Sequence, residues 1–222
     1  MASILVVCTG NICRSPMAEG FLRRLIAERR LRAGIQVSST GIAGVSGSAP
    51  MPESTAAAAA RGVDIRRHVA RRVDRDDVRG ADLVVTMTGG HRRRVVDLVP
   101  EAASRTFTLK ELVRLLEALR APATADAPGD RLRVRVSQAD DLRRSGFAGN
   151  PYDEDVADPI GMPQQTYDAV AWEIDEWCAR LVEGLFADPE PAELQSAPTG
   201  IPAAPPRPAP AAPPAAAQTP ST

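Results

Sequence analysis

Within eight residues, Cys8-Thr9-Gly10-Asn11-Ile12-Cys13-Arg14-Ser15, the chain places a thiol, a guanidinium and a hydroxyl between a short apolar run and a helical pattern. Each part has a use if the loop holds a phosphoryl group. A tight loop between a strand and a helix turns successive backbone N–H groups inward as an anion nest, and the helix end adds its partial positive charge. Gly10 and Asn11 are residue types that tolerate the left-handed backbone such a nest requires. The backbone of Thr9, Ile12 and Cys13 completes it. Arg14, six residues after Cys8, can curl back and pair two phosphate oxygens with its planar fork. Ser15 can offer its hydroxyl to the Cys8 sulfur, which then serves as nucleophile. A loop cysteine after a strand is ordinarily a small buried hydrophobe. Arg14 and Ser15 at this spacing reverse that reading.

The elements that must position the loop follow from hydrophobic pattern. Ser3 to Val7 is apolar, β-branched and too short for a helix, which predicts a buried strand. From Pro16, a residue suited to a first helical turn, Ala18, Phe21, Leu22, Leu25 and Ile26 mark one helix face, with Arg23, Arg24, Arg29 and Arg30 turned to water. Strands are expected at Ile35 to Thr40, Asp82 to Met87 and Arg105 to Thr108. Helices are expected at Glu53 to Arg61, closed by Gly62, at Gly90 to Leu98, at Leu109 to Arg120, and at Pro163 to Phe186. The last carries Tyr167, Val170, Ile174, Trp177, Cys178, Leu181 and Leu185 on one stripe. Arg131 to Arg144 is ambiguous, since VRVS alternates like a strand while Leu132, Val136 and Ala139 fit a helix; the helix is preferred. Such alternation predicts an α/β fold, an open and mainly four-stranded parallel sheet, doubly wound with helices on both faces. Ligands of such sheets bind at the carboxyl ends of strands, where the Cys8 loop falls.

Composition narrows the classes. The 222 residues carry a formal charge of −1, so no nucleic-acid or membrane-surface partner is indicated. The opening SILVVC is too short for a leader or a spanning segment, which leads to the expectation of a cytoplasmic protein. Three cysteines make no disulfide framework, and two histidines make no zinc set, so neither metal nor cofactor is expected. One domain is expected over 1–187. From Asp188 to Thr222, proline and alanine dominate with almost nothing large to bury, and a disordered tail is expected. Ala121 to Asp130 reads as a flexible connection.

The loop, the PMAE after it, the SSTG and ADLVVTMTGGHRRRVVDLVP segments, and DPIGMP before the last helix together resemble the low-molecular-weight protein tyrosine phosphatases. The likeness spans roughly residues 3 to 186, weakest over 120 to 150. It implies the phosphotyrosine phosphatase I-like fold and hydrolysis of phosphotyrosine and small aryl phosphates through a phosphocysteine. It implies Cys8 as nucleophile, Arg14 as phosphate clamp, Ser15 as partner of the sulfur, Asn11 as the residue holding the loop, and Asp158 as general acid. Cys13 is implied as a redox partner of Cys8, though it could equally fill the floor of the loop. A tyrosine kinase or a polysaccharide-export regulator is the implied phosphoprotein substrate. Where the family often has aromatic walls, this chain has Ile160 and GIAGVSGSAP. Asp158 sits in the acidic run DEDVADP, and close carboxylates there are expected to favour its protonated form. Asp153 and Asp155 are the next candidates. An arsenate reductase with a similar loop, a thiol redox sensor and a non-catalytic phosphoprotein-binding module stay open. The first needs a thiol relay for which Cys178, on an apolar stripe, is a poor candidate, and the intact Cys8, Arg14 and Asp158 set argues against the last. His68 and His91 are read as structural or exposed, and Arg92, Arg93 and Arg94 as a solvated helix face.

Overall fold

Strand β1 (Ala2–Cys8) is buried along nearly its whole length and runs through the middle of the sheet, which is why its side chains are apolar on both faces. It pairs in parallel with β2 (Ile35–Gly41) on one side and β3 (Leu83–Thr86) on the other, and β3 pairs in parallel with β4 (Thr106–Thr108). The order is β2-β1-β3-β4. The chain leaves β1 toward β2 and returns past it to β3, so the winding reverses beside β1, and its carboxyl end opens into the crevice where Cys8 lies. A computed structural model describes residues 1–31, 33–119, 125–147 and 154–186, all within one compact unit. The expected tail, 188–222, lies outside the described residues, as does part of the connection expected at 121–130.

Alternation along β1 divides the core in two. Ile4, Val6 and Cys8 join the larger cluster with Phe21 and Leu22 of α1 (Arg14–Glu28), Leu112 of α5 (Leu109–Ala118), and Ile174 and Leu181 of α7 (Gln164–Phe186). Leu5 and Val7 join the smaller one with Val78 of α3 (Arg75–Gly80) and Val95 of α4 (Gly89–Leu98). Parallel crossovers of one hand that run in opposite directions along a sheet must land on opposite faces, which accounts for α1 and α4 lying on different sides. Phe21 and Leu22 are fully buried. Truncating either to alanine should cost about 3 kcal/mol.

The expected elements are present, with shorter ends at β3 and β4. The alanine-rich helix is α2 (Pro52–Ala60), and Gly62, with φ +77°, turns the chain after it. Arg131 to Arg144 is helical, within α6 (Pro128–Arg144), because Leu132, Val136 and Ala139 bury one face. Several features depart from the sequence reading, among them Arg92, which leaves the solvated face expected of it and donates from Nε to Thr106 O at 2.9 Å. The six-residue α3 was not expected, for it has one buried apolar residue and no period to detect; its signal was Asp74 and Asp77, which form a reciprocal capping box. Arg24 does not turn to water but bonds Asp175 of α7 at 2.6 Å, an acid that also takes Arg61 Nε at 2.8 Å. No helix of the described residues is long and apolar enough to cross a membrane.

Candidate active site

Cys8 ends β1 and is 2% exposed. Its sulfur lies 3.0 Å from Ser15 Oγ and accepts the Asn11 N–H at 3.3 Å. Ser15 has one hydrogen to give, and the sulfur is a closer acceptor than Thr40 O at 3.4 Å. Cys13 is the N-cap position of α1 and provides no side-chain cap. The first-turn amides of that helix therefore keep their donors for whatever occupies the loop.

Of the two residues expected to take left-handed angles, only Asn11 does, with φ 59°; Gly10 does not. That conformation costs a non-glycine residue roughly 1 kcal/mol or more. Asn11 offsets it with bonds in every direction. Its Nδ2 donates to Ser15 Oγ and Ser39 Oγ, both at 2.9 Å, and its Oδ1 accepts from Arg71 N at 2.9 Å. Its carbonyl lies 3.1 Å from His68 Nε2, so that nitrogen carries the proton. Ser39 passes its own hydrogen to Glu19 Oε2 at 2.6 Å. The loop sits tightly against the end of β2. A Cβ on Gly41 would lie 2.5 Å from Thr9 O, and one on Gly44 would lie 2.3 Å from Arg71 O.

Arg14 is buried, and its guanidinium faces the other flank. Nη1 donates to Val156 O at 2.9 Å; Nη2 donates to Thr9 Oγ1 at 3.3 Å and to Asp158 Oδ2 at 2.5 Å. The carboxylate of Asp158 is 41% exposed, and its second oxygen has only a long contact with Ile160 N at 3.4 Å. Gly161, with φ +81°, completes the turn that presents it. Val156 N bonds Met87 O at 2.8 Å and ties this segment to the end of β3. Asp155 is engaged elsewhere, accepting from Gly89 N at 2.7 Å at the start of α4. Among the described residues a cation, Arg14, confronts Asp158, while Asp155 of the expected carboxylate cluster bonds elsewhere. Asp153 lies outside the described residues.

His91 and Cys13 flank the loop. His91 Nε2 lies 2.9 Å from Thr9 Oγ1 and its Nδ1 3.0 Å from Thr88 Oγ1. Burial, seconded by the charge of Arg14, lowers His91 to about 4, against the smaller pull of Asp158 and Asp155. Burial pushes the Cys13 thiol up to about 11, with Ser54 the main opposing contact. Cys13 therefore stays a neutral thiol beneath the loop, next to Ser54 and Tyr167. Cys178 is fully buried in α7, and burial holds it far above the ordinary thiol range. Among the described residues near the loop, Val45, whose N–H bonds Gly10 O, Ile160 and Met162 are each about half exposed. Among the described residues no group of three or more His, Cys, Asp or Glu could hold a metal ion.

The structure thus gathers Cys8, Thr9, Gly10, Asn11, Ile12, Cys13, Arg14, Ser15 and Asp158 at one end of the sheet. Sequence reasoning gave Ser39 and Glu19 no part in the site and read His68 and His91 only as structural or exposed, without their contacts to the loop. The two histidines support the loop from opposite sides, and the Thr9 to His91 contact spans 82 residues, which no local pattern announces.

A buried thiol at the end of a central parallel strand, with a guanidinium and an uncapped helix start around it, is an arrangement suited to holding a phosphoryl group against sulfur. Residues 3–122 match the family described as low molecular weight phosphotyrosine protein phosphatase, and the chain belongs to that family of phosphoric monoester hydrolases. A protein-arginine-phosphatase from Geobacillus stearothermophilus is 30% identical over 182 residues, or 82% of this chain and 95% of that one. The probable low molecular weight protein-tyrosine-phosphatase EpsP of Ralstonia solanacearum is 37% identical over 110 residues, 50% of this chain and 72% of that one. Among solved structures, a low molecular weight protein tyrosine phosphatase from T. tengcongensis aligns with a TM-score of 0.61 at 30% identity, covering 82% of this chain and 99% of its own. The YwlE arginine phosphatase from Geobacillus stearothermophilus aligns with a TM-score of 0.60 at 30% identity, covering 83% and 93%. The chain is a phosphatase of this fold.

Proposed function

We propose that residues 1–187 form a catalytic domain that removes phosphate from phosphotyrosine in proteins and from small aryl phosphates, with Cys8, Arg14 and Asp158 as its catalytic residues. The observation that carries this reading is the convergence on one loop of a sulfur with two donors at 3.0 and 3.3 Å and a guanidinium already holding Asp158. Phosphate takes the place of the Asp158 carboxylate on Arg14, and the amides of Thr9 to Ser15 bind its equatorial oxygens. With Cys8 entering as the thiolate, its sulfur attacks phosphorus in line as the bond to the tyrosine oxygen breaks, and Asp158 gives its proton to that oxygen. Phenol has a pKa near 10, so protonation eases its departure. Water then attacks the phosphocysteine, Asp158 takes a proton from it, the S–P bond breaks, and phosphate leaves. Positioning and charge stabilisation carry most of the rate, as a loose transition state requires.

A second reading, phosphoarginine as substrate, is favoured by the long alignment with the arginine phosphatase and by the exposed aliphatic side chains of Val45 and Ile160 among the described residues near the loop. The same acid can protonate a leaving nitrogen. Peptides bearing phosphotyrosine, phosphoserine or phosphoarginine, compared by kcat/KM, test the two. Preference for phosphotyrosine upholds the main reading, and preference for phosphoarginine replaces it. An arsenate arm belongs in the same assay, although the buried Cys178 offers no relay for reduction. Three free cysteines suit a reducing, cytoplasmic setting. A tyrosine kinase or polysaccharide-export regulator is the phosphoprotein to try first.

A further inference from the structure

Thr9 and His91 form a hydrogen-bonded chain whose direction is fixed at one end. An arginine N–H can only donate, so Thr9 Oγ1 accepts from Arg14 Nη2 at 3.3 Å and its own hydrogen is left for His91 Nε2 at 2.9 Å. When that hydrogen points to Nε2, this nitrogen carries the lone pair and the proton of the neutral ring sits on Nδ1. That nitrogen faces Thr88 Oγ1 at 3.0 Å, and the same oxygen accepts His91 N at 3.1 Å as the N-cap of α4. The bonds run from Arg14 through Thr9 and His91 to the capped start of a helix.

We propose that His91 is a positioning residue for the phosphatase reaction, acting through the Thr9 hydroxyl to hold the Arg14 guanidinium where phosphate must meet it. The proposal rests on the reading of Arg14 as the phosphate clamp. Asp158 is the exposed partner of Arg14 and gives way to substrate; Thr9 and Val156 O remain, so the orientation of Nη2 in the loaded site depends on Thr9. A protonated ring would reverse the Thr9 bond and set a second cation beside the first. The groups facing His91 are Arg14, Asp158 and Asp155, and burial with Arg14 keeps the ring neutral through the working range.

Glutamine and asparagine separate this role from that of a helix cap. The amide of glutamine reaches the position of Nε2 and can accept from Thr9; that of asparagine reaches only the position of Nδ1, beside Thr88. Phosphate affinity, read by calorimetric titration with inorganic phosphate, and kcat and KM on 4-nitrophenyl phosphate are measured for His91→Gln, His91→Asn, Thr9→Val, Thr9→Ser and the His91→Asn/Thr9→Val double variant. Expected is about a tenfold loss of phosphate affinity for His91→Asn and for Thr9→Val, a clearly smaller loss for His91→Gln than for His91→Asn and for Thr9→Ser than for Thr9→Val, and a double variant no weaker than Thr9→Val alone. Equal losses in His91→Gln and His91→Asn overturn the proposal, as does a double variant whose losses multiply. Should either His91 variant fail to fold, the Thr9 pair decides, with equal affinity in Thr9→Val and Thr9→Ser overturning it. Titration needs no turnover, so a parent that binds phosphate but hydrolyses nothing sinks the phosphatase reading while the His91 test still stands.

Discussion

Asn11 is fully buried and its side chain bonds three partners, Ser15, Ser39 and Arg71, whereas Asp158, on the opposite side of the same loop, is 41% exposed and keeps one ion pair and one long contact. The Asn11 side fixes the cradle before any substrate arrives, so its donors need not reorganise as charge develops. On the proposed mechanism the Asp158 side has to give way, because Arg14 Nη2 cannot serve Asp158 and a phosphate oxygen equally. Solvent screening at a half-exposed carboxylate limits that pair to about 1 kcal/mol, little enough for a phosphate dianion to displace. A rigid cradle beside a displaceable acid is the arrangement that a two-step displacement through a covalent intermediate requires.

The comparison is broken most directly at the nucleophile. Cys8→Ser keeps the shape but replaces sulfur by a hydroxyl that stays protonated, and kcat should fall by more than roughly 10⁴-fold with the melting temperature unchanged. Turnover within a few-fold of the parent would remove Cys8 from that role. On the displaceable side, Asp158→Asn should slow phenyl phosphate by about 10²–10⁴-fold and a nitrophenyl ester far less, since asparagine cannot donate a catalytic proton and only a poor leaving group needs one. Single-turnover kinetics on several aryl phosphates isolate the cleavage step. An equal loss for every leaving group would pass the role of acid to Asp155, although its bond to Gly89 N gives it a structural task already.

The fixed side is tested by Asn11→Ala, which leaves Ser15, Ser39 and Arg71 N short of a partner and puts alanine at φ 59°. A loss of about 10² in kcat/KM is expected from a misplaced loop, together with a lower melting temperature. Asn11→Gly relieves the backbone strain without restoring the bonds. It should recover stability and leave activity low; full activity in the glycine variant would show that the backbone angle alone holds the cradle.

The fixed and displaceable sides differ as well in how far the sequence exposed them. Cys8, Arg14 and Ser15 were legible because they share eight consecutive residues whose spacing is itself the geometry. Asp158 was legible only through the Asp-Pro step and the family likeness, for its partner Arg14 lies 144 positions away. The supports were hidden for a related reason: His68 stands among arginines that read as surface, and nothing near it signals that its ring touches Asn11 O 57 positions earlier. The parallel, doubly wound sheet followed from alternating elements, and β1 from its apolar run, but the strand order did not; α3 escaped because a capping box with one apolar residue carries no period. Arg24 misled because its partner Asp175 is an acid on the otherwise apolar face of α7, a pairing set by tertiary packing alone.

The smallest expected effect lies in the pH dependence of stability. His91 is buried neutral, at about 4 in the fold against an ordinary value near 6.5 in the unfolded chain. Between those values the unfolded state binds more protons, so stability rises with pH across that window. The contribution is complete above about 6.5 and is lost progressively as pH falls toward 4. Between pH 6.5 and 5 the parent should lose roughly 1–2 kcal/mol through this one group, the ring staying neutral in the fold while the unfolded ring goes from half to almost fully protonated. His91→Gln has nothing to titrate, so its stability should stay flatter over the same interval, and the difference between the two chains cancels the contribution of His68 and of the carboxylates they share. Urea unfolding at pH 7, 6 and 5 measures it. If the two curves ran parallel, the ring would be taking up its proton inside the fold, the direction of the Thr9 bond would be reversed at mildly acid pH, and the flank that holds Arg14 would belong with Asp158 among the parts of the site that move.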